Sequence, residues 1–305
     1  MKNWILTRNI FIVLIYRILL VLFLFSLCRV GFYLFNIKMF PGITPGEFIS
    51  IMKGGLLFDI SATVYINMLF ILFEILPFDF RYNKTYDKIL KYLFFITNGL
   101  AFAINCADFV YYRFVFKRAT ADVFKTFENE SHMGKMFFKY LIDYWYFLLF
   151  FIFICFLMVY LYNKVRLKKP EPSNKIIYYI INVLFIPLVI ALVIGGARGG
   201  YKHSTRPITI SNAARYVKSP RDVAIVLNTP FSIFRTSSMK PLVKYNFYDK
   251  TKLDEIFNPH YIPSVNKPFV KDNVLIIILE SFGREYIGSL SSDLKGELIK
   301  AIPHL

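Results

Sequence analysis

One carboxylate, Glu280, lies at the end of a predicted β-strand, a position where ligand-binding and metal-binding residues are often found. It follows residues 274–279, an unbroken apolar run of Val, Leu and Ile. A run of this length and composition predicts a strand that is buried on both faces, as in a parallel sheet covered by helices. Open α/β sheets bind ligands and metals beyond the carboxyl ends of their strands. The pattern therefore indicates a metal or ligand site at Glu280.

Five further ionisable residues lie inside long apolar stretches, where an unpaired charge is costly. Three of them, Arg29, Asp59 and Asp108, fall about 6–9 Å from the same membrane boundary, at 1.5 Å per residue along the predicted spans. We expect them to form one polar cluster with Arg29 between the two aspartates. Arg17 and Glu74 are a possible second pair, in the opposite half of the membrane. The first cluster either faces a lipid headgroup or locks helices together, and the lock is the favoured interpretation.

Composition places most of the chain in a membrane. Of 305 residues, 56% are hydrophobic and 19% are aromatic, and the mean hydropathy is +0.48. These values are too apolar for an ordinary soluble domain. We predict membrane spans at residues 9–35, 54–78, 89–112, 144–162 and 176–194, each near the length that crosses a bilayer. The predicted fold class is therefore an α-helical membrane protein.

The charge of the chain fits the same interpretation. The formal net charge is +17, and the basic residues lie mostly in short segments between apolar stretches. This distribution favours flanking of spans and contact with anionic lipid headgroups over binding of nucleic acid. Basic residues precede the first span and crowd the second-to-third and fourth-to-fifth connections, so the N-terminus is predicted to be cytoplasmic. Five spans then place everything after residue 194 on the other side.

Three regions follow from these spans. Residues 1–195 form the five-helix domain, whose segment 120–140 is amphipathic and either lies on the outer leaflet or packs on the extracytoplasmic part. Residues 196–268 form an irregular extracytoplasmic connector, rich in Pro, Ser and Thr. Residues 269–305 begin an α/β domain. One strand and one short helix bury too little apolar surface to fold alone, so we expect the chain to be a fragment of a longer protein.

Several short motifs resemble the lipoteichoic acid synthase-like branch of the sulfatase and alkaline phosphatase superfamily. They are residues 55–61 (Gly-Leu-Leu-Phe-Asp-Ile-Ser), 206–208, 211–213, 227–231 (Leu-Asn-Thr-Pro-Phe) and 273–282. Residues 302–305 also resemble the stretch that leads towards the nucleophile of that family. The resemblance covers essentially the whole chain. It implies a bacterial cell-membrane protein with five helices, a connector and an outward-facing sulfatase-like domain, here truncated.

The resemblance also implies an activity. Enzymes of this family transfer a phosphoglycerol-type headgroup from a membrane lipid to an extracytoplasmic acceptor. They hold manganese or magnesium with a strand-end glutamate, which corresponds to Glu280, and with a threonine nucleophile and a distant Asp–His pair. After Glu280 this sequence has neither the nucleophile in its context nor the Asp–His pair. We therefore expect no catalytic residue within this chain, and no cation held by this chain without the remainder of the catalytic domain.

Other functions stay open at this point. A sulfatase-like hydrolase and a phosphoethanolamine transferase would share the architecture and the metal site. A protein of another class, a catalytically incomplete membrane anchor or assembly protein, fits the missing nucleophile. A transporter is disfavoured, because the sequence has no evident internal repeat and no broken helices in matching positions.

Overall fold

The computed structural model describes residues 9–124, 142–165, 167, 169, 174–202, 206–238, 247–257 and 275–276. The chain divides into two compact units, Met1–Leu242 and Val243–Leu305. Most of the described residues are helical, and none of them lies in a β-strand.

The first unit contains eight α-helices in its described part. They are α1 (Ile10–Phe35), α2 (Pro45–Ile66), α3 (Met68–Glu74), α4 (Lys84–Val115), α5 (Trp145–Lys164), α6 (Lys175–Arg198), α7 (Val223–Val226) and α8 (Thr229–Thr236). Five of them, α1, α2, α4, α5 and α6, are long and apolar enough to cross a membrane, and each overlaps one of the predicted spans. We call the end of the bundle where α1 ends and α2 begins the connector end, and the opposite end the N-terminal end.

The core of the bundle lies between α1, α2 and α4. Their facing sides bury large aromatic side chains, including Phe25, Phe32, Phe58, Phe102 and Phe109. Helix α6 differs, because only 6% of its most apolar window is buried. An apolar helix surface of this kind is suited to lipid contact.

Helix α2 begins at residue 45, earlier than the predicted residue 54. Thr44 caps the helix: its Oγ1 accepts a hydrogen bond from the Glu47 amide at 3.4 Å, and the Glu47 carboxylate accepts one from the Thr44 amide at 2.8 Å. Pro45 occupies a first-turn position, where a missing N–H costs nothing. Asp59 consequently lies about 21 Å along the helix axis from Pro45, and the early turns of α2 are available to contact the connector.

The predicted second span, residues 54–78, is also interrupted. Helix α2 ends at Ile66, and α3 begins at Met68. At the break, Asn67 donates from Nδ2 to the Thr63 carbonyl and to Asn98 Oδ1, both at 3.0 Å, and Asn98 returns a bond of 2.7 Å. This buried amide pair satisfies polar groups inside the bundle and joins α2 to α4.

Helix α6 continues past its predicted end at residue 194. It stops at Arg198, where Gly199 adopts a left-handed conformation with φ of 76°. The Gly200 amide then donates to the Gly195 carbonyl at 2.9 Å, which is the pattern of a glycine-terminated helix. Gly199 and Gly200 therefore end α6 at the start of the connector.

The connector is more regular than predicted. Besides α7 and α8 it contains 3₁₀ turns at Ile210–Tyr216 and Pro220–Asp222. Ile225, Val226 and Phe231 are buried in the same core as the long helices. The predicted boundary between residues 195 and 196 is therefore not a structural one, since the compact unit extends to Leu242. The amphipathic segment predicted at 120–140 lies, after residue 124, outside the described residues.

The second unit is described at residues 247–257 and 275–276, with helix α9 at Lys250–Ile256. Leu275 and Ile276 belong to neither a helix nor a strand, and their side chains are 83% and 78% exposed. The predicted strand at residues 274–279 is therefore not shown. Its other residues, and Glu280, lie outside the described residues.

Candidate functional site

Arg29, near the end of α1, joins two parts of the molecule. Its Nη2 lies 2.5 Å from Asp59 Oδ1 and donates to the Gly55 carbonyl at 2.9 Å, both on α2. Its Nη1 donates to the carbonyls of Ile225, at 2.5 Å, and Val226, at the end of α7. The last carbonyls of a helix lack partners within the helix and attract a cation. One buried guanidinium thus holds α1, α2 and the connector together.

Asn228 adds a second bond between the connector and α2. Its Nδ2 donates to Asp59 Oδ1 at 2.8 Å, and its Oδ1 accepts from the Phe231 amide at 2.8 Å. The side chain therefore caps α8 and binds the buried Asp59 carboxylate at the same time. Close by, the Phe58 and Phe231 rings meet edge to face with centroids 5.0 Å apart.

Asp108 takes a partner that differs from the predicted one. Arg118, in the loop after α4, places Nη1 2.9 Å from Asp108 Oδ2, and the Ala119 amide donates to Oδ1 at 2.9 Å. The hydroxyl of Thr229 donates to Asp108 Oδ2 at 2.8 Å. The prediction that Arg29 lies between two aspartates is corrected, because the chain folds back after α4 and supplies a second arginine.

The four charged residues Arg29, Asp59, Asp108 and Arg118 form one group without net charge. We call this group, together with Asn228 and Thr229, the connector lock. Each charged side chain is at most 4% exposed. Two guanidinium groups balance two carboxylates, and this balance makes their burial tolerable. Burial lowers the pKa of the Arg118 guanidinium from its ordinary value, whereas the adjacent Asp108 carboxylate opposes this change.

Two adjacent glycines of α2 make room for neighbouring side chains, one of them in the lock. A Cβ atom at Gly55 would overlap the guanidinium of Arg29, and one at Gly54 would overlap the ring of Tyr216 in the connector. The motif at residues 55–61 thus has a packing explanation: a glycine admits the arginine, and Asp59 then binds it.

The exposed start of α2 holds the connector as well. Ser50 Oγ donates to the Tyr216 carbonyl at 3.3 Å, and the Lys218 ammonium lies 2.7 Å from the Glu47 carboxylate. The hydrogen bond with Glu47 raises the pKa of Lys218. Because Lys218 is largely exposed, this pair contributes little to stability compared with the buried lock.

Arg17 and Glu74 pair at the N-terminal end. Their Nη1 and Oε1 atoms lie 2.6 Å apart, and both side chains are 2% exposed. The Arg17 guanidinium also lies over the Tyr162 ring, 4.5 Å from its centroid. This pair joins α1 to α3, with a ring from α5 beside it, and contacts no connector residue that the structure describes.

The metal site predicted at Glu280 lies outside the described residues. Among the residues that the structure does describe, no group of three or more His, Cys, Asp or Glu side chains is placed to hold a metal ion. The site that the structure does build is the connector lock.

Sequence reasoning missed three members of the lock. Arg118 follows the predicted third span by only a few residues, and the pattern around it indicates no more than a loop. Asn228 and Thr229 belong to a recognisable motif, but composition places that motif in an irregular connector. The available signal was local, because Asn228 followed by Thr229-Pro230 is a typical helix start.

Comparison with protein-family models, with curated proteins and with solved structures finds no match to this chain.

Proposed function

We propose that this chain is the membrane-embedded portion of a metal-dependent transferase that moves a phosphoglycerol-type headgroup from a membrane lipid to an acceptor. In this proposal the N-terminus is cytoplasmic, and the connector lies on the extracytoplasmic side of a bacterial cell membrane. The five apolar helices and the basic residues at the N-terminal end support that arrangement.

One observation carries the proposal. Two motifs through which the sequence resembles lipoteichoic acid synthase-like proteins, residues 55–61 and 227–231, lie far apart in the chain but pack directly against each other. Asp59 accepts the bond from Asn228, and Phe58 meets Phe231. This contact between the two motifs supports treating the resemblance as one architecture.

The chemistry of the proposal depends on Glu280 and on a threonine nucleophile that would follow residue 305. A carboxylate oxygen suits manganese or magnesium, but one carboxylate does not hold a cation usefully. Glu280 alone does not complete the metal site, so no reaction step is assigned to the residues of this chain. Their proposed part is to anchor the connector at the membrane surface.

The test uses the product of the complete reading frame, reconstituted into vesicles that contain phosphatidylglycerol. We expect lipid turnover that requires manganese or magnesium and that stops in EDTA. Glu280→Gln should abolish it, whereas Glu285→Gln, a matched change five residues away, should leave it within about twofold. Turnover that ignores both the cation and Glu280→Gln would contradict the metal mechanism. Phosphatidylethanolamine and sulfate esters, offered in place of phosphatidylglycerol, distinguish the related transferase and hydrolase.

A second candidate is an anchor or assembly protein without catalysis. It is favoured by the partners of the buried charges, because Arg29, Asp59, Asp108 and Arg118 are bound by the protein itself. Absence of turnover with every donor, in a protein whose connector is protected from protease, would support this candidate. If Arg29→Ala keeps full turnover in folded protein, Arg29 has no role in handling substrate.

A further inference from the structure

Helices α1 and α4 run side by side and in the same direction through the core of the bundle. The Phe25 and Phe102 rings meet with centroids 5.0 Å apart, and the Phe32 and Phe109 rings meet at 5.7 Å. On each helix the second ring follows the first by seven residues, so the two contacts lie two turns apart on both helices. Residues midway between them on these faces therefore also lie opposite each other.

The residues in that position are two cysteines, Cys28 of α1 and Cys106 of α4. Cys28 lies three residues after Phe25, and Cys106 lies four residues after Phe102, so each is on the contact face of its helix. Their side chains form a hydrogen bond, and they are 0% and 1% exposed. Both are free thiols in this structure. The fold thus places two thiols against each other between two membrane-crossing helices.

The third cysteine of the chain, Cys155, is placed differently. It belongs to α5, which packs beside α1 through the Phe35 and Phe150 rings, 6.2 Å apart. The residue before it, Ile154, is fully buried, whereas Cys155 is only partly buried. Because successive residues of a helix are turned by about 100°, Cys155 lies to the side of that interface. It is the natural comparison for the buried pair.

The thiol pair lies beside the connector lock. Arg29 follows Cys28 in α1, and Asn105 precedes Cys106 in α4. The Asn105 side chain bonds to Cys28, and its Oδ1 accepts a hydrogen bond from the Thr229 hydroxyl at 3.1 Å. A covalent link at this level would hold α1 to α4 where both helices meet the connector.

We propose that Cys28 and Cys106 are the site of a disulfide bond that joins α1 to α4 beside the connector. Its formation breaks two S–H bonds and makes one S–S bond. Molecular oxygen takes up the two electrons and the two protons and becomes hydrogen peroxide. Residues 29–105 lie between the two cysteines, and closing a loop of this length favours the folded state.

Burial determines how such a bond behaves. A buried thiol in apolar surroundings reacts slowly, and a small apolar oxidant such as oxygen reaches it more readily than a water-soluble reagent does. The same shielding keeps glutathione away from the finished bond. The bond is therefore a lasting cross-link rather than a rapid switch. This inference rests on α1, α4 and α5 and does not depend on the proposed transferase activity.

The test oxidises the purified full chain in detergent with copper phenanthroline in air, and then counts the remaining thiols in SDS with a maleimide mass tag. The reduced protein has three thiols to tag, and the oxidised protein should keep one. Cys28→Ser and Cys106→Ser should each prevent the bond, so that both remaining thiols are tagged after oxidation. Cys155→Ser, the matched control, should lose both of its remaining tags.

Two further measurements examine the position of the bond. Oxidation should raise the Tm by about 5–10 °C in the unchanged protein and in Cys155→Ser, but not in Cys28→Ser. Glutathione should leave the bond intact in the folded protein and reduce it once SDS has unfolded the bundle. Three tags after oxidation, or a loss of tags in Cys106→Ser, which would pair Cys28 with Cys155, would overturn the assignment. An unchanged Tm, or equal reduction by glutathione in both conditions, would do the same.

Discussion

The two ends of the helix bundle bury ion pairs in different ways. At the N-terminal end, Arg17 of α1 pairs with Glu74, the last residue of the short helix α3. At the connector end, Arg29 pairs with Asp59 and also binds the carbonyls of Ile225 and Val226, almost two hundred residues later in the chain. The first pair ties helix to helix, whereas the second also ties the bundle to a segment that follows its last span.

The two buried ion pairs therefore have different structural roles. A buried pair between two helices is often replaceable by apolar side chains of similar volume, because the cost of desolvation offsets the attraction. The connector lock is less replaceable, since it also satisfies backbone carbonyls and the side chain of Asn228. Its loss would leave these groups buried without partners.

The largest effect is expected from Arg29→Ala. It should lower the free energy of unfolding by about 3–5 kcal/mol, as expected when one partner of a buried pair is removed. It should also increase tryptic cleavage of the connector at Arg215 and Arg221. Thermal unfolding in detergent and limited trypsin digestion measure the two effects.

Arg17→Ala is the matched change at the other end. It should also destabilise the bundle, yet leave the rate of connector cleavage close to that of the unchanged protein. If both variants expose the connector equally, the distinction between the two ends is wrong.

A smaller effect is expected from Asn228→Ala, compared with Asn174→Ala. Both side chains cap a helix, since Asn174 accepts from the amides of Ile176 and Ile177. A cap alone contributes about 0.5–2 kcal/mol. Asn228 also donates to the Asp59 carboxylate, so its loss should lower the free energy of unfolding by about 2–3 kcal/mol. Equal costs for the two variants in thermal unfolding would show that the bond to Asp59 is not important.

The sequence predicted the five long apolar helices, because helix length and apolar composition depend on each segment alone. It also pointed to Arg29 with Asp59 and to Arg17 with Glu74, since a charge in an apolar stretch needs a partner. Which partner each charge takes depends on tertiary structure. Asp108 binds Arg118 because the chain reverses after α4, and no periodicity within α4 indicates that reversal.

Helix bounds were predicted less well where local capping overrides hydropathy. Glu47 and Lys53 lower the hydropathy of the first turns of α2, so an apolar window begins at residue 54. The capping box at Thr44 nevertheless starts the helix at Pro45. The connector was predicted to be irregular from its Pro and Ser content, although Pro220 and Pro230 in fact occupy the first turns of short helices.

The smallest change in stability is expected at Gly55, where the absence of a side chain leaves space for the Arg29 guanidinium. Gly55→Ala should lower the free energy of unfolding by about 1–3 kcal/mol, because the new methyl group overlaps the Arg29 guanidinium and forces it away from Asp59. At Gly99, in α4, a Cβ atom would meet no atom of a described residue within 4 Å. Gly99→Ala should therefore be neutral or stabilising by up to about 1 kcal/mol, as alanine favours helix more than glycine does.

The pair of glycine variants separates helix propensity from packing. Alanine improves propensity at both positions, so a loss of stability at Gly55 alone reports the displaced guanidinium. The loss should disappear when Arg29 is also changed to alanine, because the methyl group then has nothing to displace. A Gly55→Ala cost that persists in the Arg29→Ala background would place the obstruction elsewhere, and the glycine would then have no part in the connector lock.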